Sequence, residues 1–222
     1  MSDSKDKNQA PATEVPDAVV NRLSLYLREL QHLIRDGRET TSSSQLGGRL
    51  GCSDAQVRKD LAYFGQFGYP GIGYRCEELV AAIRGILGTD RGWPVAMVGV
   101  GNLGRALLGY KGFARQGFRI VAAFDTDESK IGTEIEGVGI HSLESLPEIV
   151  RASRIRLGMI VVPAAAAQSA ADRLVRAGVE GIVNFAPVTV SVPPTVRKIG
   201  VDLAIDLEQI TFAVINRNDR AS

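Results

Sequence analysis

Apolar side chains recur at three- and four-residue spacing through the first third of the chain, then change to short apolar runs. Leu23, Tyr26, Leu27, Leu30, Leu33 and Ile34 lie on one helical face, so the spacing predicts an amphipathic helix over about 17–36, stopped by Gly37. Thr40-Thr41-Ser42-Ser43-Ser44 supplies N-cap candidates for a short helix, Gln45–Leu50. Gly51-Cys52-Ser53 reads as a tight turn, with Ser53 capping a helix from Asp54 to about Phe64. That helix turns Val57, Leu61 and Phe64 inward and Gln56, Arg58 and Lys59 outward. Helix, three-residue turn with glycine, helix is the helix-turn-helix signature. Beyond it, Gly65, Gly68, Gly71 and Gly73 punctuate Phe67, Tyr69, Ile72 and Tyr74, which predicts a β-hairpin wing. A helix over Glu77–Leu87 leads to a boundary at 88–92.

From Trp93 the pattern changes. Strands are predicted at 93–98, 118–124, 156–162, 181–185 and 201–204. Helical runs follow Gly104, Pro163 and Ala204, the last over 206–216. Alternation of this kind makes a mostly parallel sheet with helices on both faces. Ligands bind such sheets at the carboxyl ends of strands. Val162-Pro163 and Asn184-Phe185-Ala186-Pro187 occupy two such ends.

A third end carries the most specific chemistry. Gly99-Val100-Gly101-Asn102-Leu103-Gly104 follows the first strand and opens a helix, and Asp125 closes the second strand 21 residues after Gly104. This is the complete dinucleotide-binding fingerprint. Gly99 permits the tight turn, Gly101 lets the backbone approach a pyrophosphate, and Gly104 allows close helix–strand packing. The helix N-terminus offers unpaired N–H groups to the phosphates. Asp125 can accept the ribose hydroxyl hydrogens and would repel a 2′-phosphate, which favours NAD(H) over NADP(H).

Composition narrows the rest. A length of 222 residues suits one large or two small domains, and 45% hydrophobic residues can build a core. The formal net charge is +1, and 17–75 carries eight basic and six acidic residues, so charge alone does not announce a nucleic-acid binder. Arg58 and Lys59 suit guanine or phosphate contacts, yet with Asp54 and Asp60 they also suit a solvated face. Two cysteines, Cys52 and Cys76, point to a reducing compartment, and no Cys/His spacing fits a metal site. The polar start lacks a secretory pattern, no apolar run reaches membrane-spanning length, and 1–15 is predicted to be disordered. A cytoplasmic protein is expected.

Two rival readings share the glycine-rich turn. A dehydrogenase needs an acid or base near the nicotinamide. His32 on the first helix and His141 after a glycine-rich loop suit structural roles better, and Lys111 and Lys130 have no catalytic setting. A CoA-binding module is the second rival, against which Asp125 speaks.

The chain resembles the Rex family of redox-sensing transcriptional repressors from about Pro16 to Arg217. The blocks that carry the likeness are Arg22–Arg28, Thr41-Ser42-Ser43, Gln56–Gly65, Gly71-Ile72-Gly73-Tyr74, Gly99–Leu107, Phe124–Asp127 and Gly181–Pro187. The resemblance implies no enzymatic activity and a homodimer that holds palindromic operator DNA when NAD+ is plentiful and releases it on binding NADH. It implies a winged helix over 16–88, a Rossmann-type nucleotide domain over 89–204, and a C-terminal segment over 205–222 whose helix swaps into the partner. DNA contacts fall on Ser43, Ser53, Gln56, Arg58, Lys59, Gly71, Gly73 and Tyr74. Cofactor contacts fall on Gly99, Val100, Gly101, Asn102, Leu103, Gly104, Asp125, Val162, Pro163, Asn184, Phe185, Ala186, Pro187 and Tyr110. Arg28, Tyr110 and Asp202 form a state-dependent switch. One departure stands out: the family's basic wing residues are replaced by Tyr69 and Pro70, with Arg75 as the nearest compensating cation.

Overall fold

The computed structural model describes residues 15–218; most of the expected N-terminal tail, 1–14, lies outside the described residues. The chain forms two compact units, Met1–Asp90 and Arg91–Ser222, divided inside the glycine-containing stretch expected to be the boundary.

The first unit is built on α1 (Asp17–Arg35), which buries Val19, Leu23, Tyr26, Leu27, Leu30 and Leu33. Strand β1 (Thr40–Thr41) leads into α2 (Ser43–Leu50). The latter starts at a capping box: the Ser42 hydroxyl accepts the Gln45 amide at 3.1 Å, and the Gln45 side chain accepts the Ser42 amide at 3.1 Å. Helix α3 (Asp54–Ala62) is capped by Ser53, whose hydroxyl accepts the Gln56 amide at 3.1 Å. Strand β2 (Tyr74–Arg75) pairs antiparallel with β1, and α4 (Cys76–Leu87) closes the unit. Its core joins Leu23, Tyr26, Leu30, Leu46, Val57, Leu61, Cys76 and Ile83.

The wing is smaller than the predicted hairpin. Gly65, Gly68, Gly71 and Gly73 all have positive φ, so no ladder runs through them. The loop is closed by one isolated bridge, Tyr69 to Gly73.

The second unit is a seven-stranded sheet of β3 (Trp93–Val98), β4 (Phe118–Asp125), β5 (Glu134–Ile135), β6 (Val138–Ser142), β7 (Leu157–Ile160), β8 (Gly181–Asn184) and β9 (Arg197–Gly200). The strands lie in the order β5-β6-β4-β3-β7-β8-β9. All pairings are parallel except β5 with β6. The helices are α5 (Asn102–Leu108), α6 (Gly112–Arg115), α7 (Leu146–Ala152), α8 (Ala164–Arg176) and α9 (Leu203–Asn218).

Strand periodicity divides the core in two. Ala96 and Val98 of β3 join Phe124, Leu146, Ile160 and Leu174 on one face. Val95 and Met97 join Leu108, Ile120, Ile140 and Met159 on the other. Because β4 and β7 flank β3 on opposite sides, the strand order reverses at the end of β3. A crevice opens outside the carboxyl ends at such a switch point.

In the second unit two expectations change. The last strand is β9, at 197–200, and 201–204 instead leads into α9: Asp202 accepts the Ala204 amide at 3.0 Å and starts the helix there. Strands β5 and β6 and helix α7 had no sequence assignment. The helix predicted over 206–216 begins three residues earlier, at Leu203.

Candidate functional site

The switch point holds the glycine motif. Gly99 ends β3 with φ +102°, donates its amide to the Phe124 carbonyl at 2.8 Å, and lies so close to Val161 that a Cβ would overlap its carbonyl oxygen. Gly104 of α5 faces the Gly99 carbonyl in the same way. Gly101 differs: a Cβ there meets no atom within 4 Å. It is also the N-cap of α5, so no side chain covers the first helical amides. Gly99 and Gly104 are therefore demanded by the fold, whereas the bareness of Gly101 leaves an open cradle that a phosphate backbone would fill. Val100 is buried, and Asn102 and Leu103 are exposed at the mouth.

Asp125 stands beside this cradle. Its Oδ2 accepts the Val100 amide at 2.8 Å and the Lys130 ammonium at 3.2 Å, and its Oδ1 accepts the Asp127 amide at 2.9 Å. Burial pushes this carboxyl up, but the two amides and the ammonium outweigh it and hold it below the usual carboxylate range. It is ionised at neutral pH and keeps acceptor capacity for ribose hydroxyls. The donor set fits a dinucleotide with a free 2′-hydroxyl.

The neighbouring strand ends supply an apolar rim. Val162 and Phe185 are half-buried, Ala186 is buried, and Pro163 and Pro187 are exposed. Asn184 is only 3% exposed and is consumed internally: Nδ2 donates to the Ala186 and Val188 carbonyls at 3.2 and 2.7 Å, and Oδ1 accepts the Ala186 amide at 3.0 Å. Its side chain thereby shapes the Phe185–Val188 loop. Tyr110 is 58% exposed and packs edge-on against Phe113, ring centroids 5.0 Å apart.

Arg28 is exposed on α1 in the first unit, and Asp202 is half-exposed in the second. His32 is exposed, and His141 lies in β6 with its ring 5.9 Å from that of Phe124. Lys111 pairs with Glu136 at 3.1 Å. Among the described residues, no group of three metal-ligating side chains comes together. No described helix is long and apolar enough to cross a membrane.

On the first unit, Arg58 Nη1 donates to Asp54 at 2.7 Å and to Ser43 at 3.0 Å, which ties α3 to α2. Lys59 is exposed. Gln56 departs from its expected outward pose: it is half-buried and donates Nε2 to Asp60 Oδ1 at 2.7 Å. The Ser53 hydroxyl is engaged as a cap. Tyr74 is 8% exposed and part of the core, because alternation along β2 turns it inward and Arg75 outward. Gly73 abuts the Thr41 carbonyl, whereas Gly71 is exposed with open space around it. Arg75 lies 5.1 Å from the Tyr69 ring centroid and pairs with Glu78 at 3.1 Å, so its charge is partly engaged.

Asp60 is the residue that sequence reading missed. It is fully buried; Arg22 reaches both its oxygens at 2.5 and 2.8 Å, and the Tyr26 hydroxyl donates at 2.8 Å. Its spacing with Val57 and Leu61 was the signal, since 57, 60 and 61 share one helical face. Cys76 is buried and burial pushes its thiol up, while Cys52 Sγ lies 3.9 Å from the Tyr26 hydroxyl.

Comparison with known proteins agrees with this division. Residues 14–62 match the family model described as "Putative DNA-binding protein N-terminus", and 90–188 match the "CoA binding domain" model. The redox-sensing transcriptional repressor Rex of Pelotomaculum thermopropionicum is 45% identical over 210 residues, covering 95% of this chain and 99% of the relative. That of Desulfitobacterium hafniense is 48% identical over 204 residues, covering 92% and 97%. Among solved structures, RSP, a Rex-family repressor, in complex with β-NAD+ and operator DNA superposes with a TM-score of 0.87 at 34% identity, covering 93% of this chain and 95% of that one. Its complex with β-NADH gives 0.84 at 33% identity, covering 93% and 97%. The CoA model spans only the nucleotide unit, whereas the repressors match both units. With a helix-turn-helix unit and a dinucleotide cradle both matched along nearly its full length, the chain belongs to the Rex family of redox-sensing transcriptional repressors.

Proposed function

We propose that this chain is a DNA-binding transcriptional repressor, not an enzyme, that reads the NADH/NAD+ ratio and leaves its operator when NADH binds. The observation that carries the reading is the open cradle at Gly101 beside an ionised Asp125, in a chain that also bears a helix-turn-helix. The RSP structures with NAD+ and operator DNA and with NADH support the same reading.

The bound dinucleotide supplies the signal, as a cationic nicotinamide ring in NAD+ and a neutral one in NADH. The residues of this chain supply the discrimination. Gly99 and Gly101 bring backbone to the pyrophosphate, and Asp125 accepts from the ribose. Val162, Pro163, Phe185, Ala186 and Pro187 offer apolar surface that favours an uncharged ring, since burying an unpaired charge is costly. Such differential affinity is what allows a ligand to shift a two-state protein.

On the DNA side, Arg58 and Lys59 face base edges and phosphates, with Ser43, Ser53, Gln56, Gly71 and the Gly73–Tyr74 backbone as flanking contacts. Arg28, Tyr110 and Asp202 act as the switch between dimer states. Helix α9 supports a swapped homodimer: residues 203–216 are all exposed, including Leu207, Ile210 and Phe212. The working compartment is the cytoplasm.

The test is operator binding at fixed salt, using duplexes selected from a pool with randomised inverted half-sites. Release by NADH at a concentration where NAD+ has no effect is the expected result. Binding that ignores both nucleotides would remove NADH as the effector.

A further inference from the structure

We propose that Lys130 is a latent 2′-phosphate ligand which Asp125 holds in check, so that Asp125 excludes NADP(H) by its own charge and by occupying the Lys130 ammonium. The inference rests on the reading of this cradle as an NAD(H) site.

The geometry is a closed charge triangle. The Lys130 ammonium lies 3.2 Å from Asp125 Oδ2 and 3.3 Å from Asp127 Oδ2. Its side chain is only 23% exposed, and that of Asp125 only 11%. The loop between them is stiff: the Asp127 carboxylate accepts both the Ser129 amide at 3.0 Å and its hydroxyl at 2.6 Å, and the Lys130 amide donates to the Asp127 carbonyl at 3.0 Å. Lys130 is thus delivered to the ribose end of the cradle by backbone as well as by charge.

Two carboxylates around one ammonium leave a net negative corner, which accepts hydroxyl donors and rejects a phosphate. Removing Asp125 changes that sum. One carboxylate then faces one ammonium, and a hydrogen-bonding position on Lys130 falls open where the ribose acid stood. A 2′-phosphate brings charged acceptors that suit it. Asp127 alone does not block the exchange, because its side chain is 45% exposed and already engaged by Ser129.

The experiment compares NADH and NADPH binding, by nucleotide fluorescence and by thermal shift, to the full-length protein and to Asp125→Ser, Lys130→Met and the double variant. The wild type is expected to prefer NADH. Asp125→Ser is expected to gain about tenfold or more in NADPH affinity, the scale of one hydrogen bond to a charged group, and to lose NADH affinity. The double variant is expected to lose that gain. Asp125→Asn, which keeps an acceptor for the loop amides, carries the test if the serine variant does not fold. An equal NADPH gain with and without Lys130 would overturn the proposal. So would no gain in a variant that still binds NADH. A wild type that binds neither nucleotide would end the NAD(H) reading and this inference together, whereas wild-type NADH binding keeps the first and leaves the variants to judge the second.

Discussion

Arg22 of α1 and Asp60 of α3 meet in a two-point ion pair, with Nε to Oδ2 at 2.5 Å and Nη2 to Oδ1 at 2.8 Å. The carboxylate has no exposed surface, whereas the Arg22 side chain keeps 28% exposure. Tyr26 and Gln56 complete its shell. The helix carrying Arg58 and Lys59 is therefore fastened to the long first helix by a buried charge whose acceptors are satisfied. Breaking such a pair costs far more than an exposed one.

Asp60→Ala is expected to destabilise the first unit by roughly 3 kcal/mol, the lower part of the range for buried pairs because Arg22 remains partly solvated. Tyr26→Phe removes one donor and is expected to cost about 1 kcal/mol. Urea denaturation measures both. NADH binding should survive in either variant, because the network lies outside the nucleotide unit.

The same group sets an acid limit. Burial raises the Asp60 carboxyl, but Arg22, Tyr26 and Gln56 together hold it below the usual range. A folded pKa below the unfolded one stabilises fully above the unfolded value, about pH 4, and that stability is lost as pH falls through the folded value. The urea midpoint of the first unit should drop below about pH 4. A flat profile through that range would contradict the pair's role.

Gly99 and Gly101 should separate fold from function. Gly99→Ala places a Cβ on the Val161 carbonyl at a left-handed φ, so a loss of about 2 kcal/mol or more is expected. Gly101→Ala meets open space and should melt near the wild type while binding NADH at least about tenfold more weakly. Thermal melts paired with fluorescence titration distinguish the two. A Gly101→Ala variant with normal affinity would argue against close approach of the pyrophosphate.

On the recognition helix, Lys59→Ala should weaken operator binding similarly across sequences and lower the salt slope by about one. Arg58→Ala should also relax base preference at one half-site position, at a cost of about 1–3 kcal/mol. Anisotropy with single-base operator variants at several salt concentrations checks both.

Phe185→Ser places a hydroxyl in the apolar rim and should narrow the affinity ratio between NADH and NAD+. An unchanged ratio would mean that ring charge is read elsewhere.

The local features were legible along the chain for physical reasons. Serine caps at 42 and 53, the core face of α1 and the spacing of Gly99, Gly101 and Gly104 are set by neighbours within a few residues. β9 was misplaced by four residues because Arg197–Gly200 is exposed at every position and carries no alternation. Asp125 was identified by its distance from the glycine motif, but its partner Lys130 was read only as a lysine without a catalytic setting.

The sequence by itself determined the two-unit order, the helix-turn-helix, the α/β alternation and the dinucleotide fingerprint, because each is written in local spacing and backbone preference. Only the tertiary structure decided that Asp60 is a buried anchor, that Asn184 shapes a loop, that Tyr74 belongs to the core and that Lys130 pairs with Asp125. Each of those depends on which surfaces the packing excludes from water. A polar side chain carries no local mark of that; for Asp60 it is set by partners tens of residues away, and for Tyr74 by strand pairing.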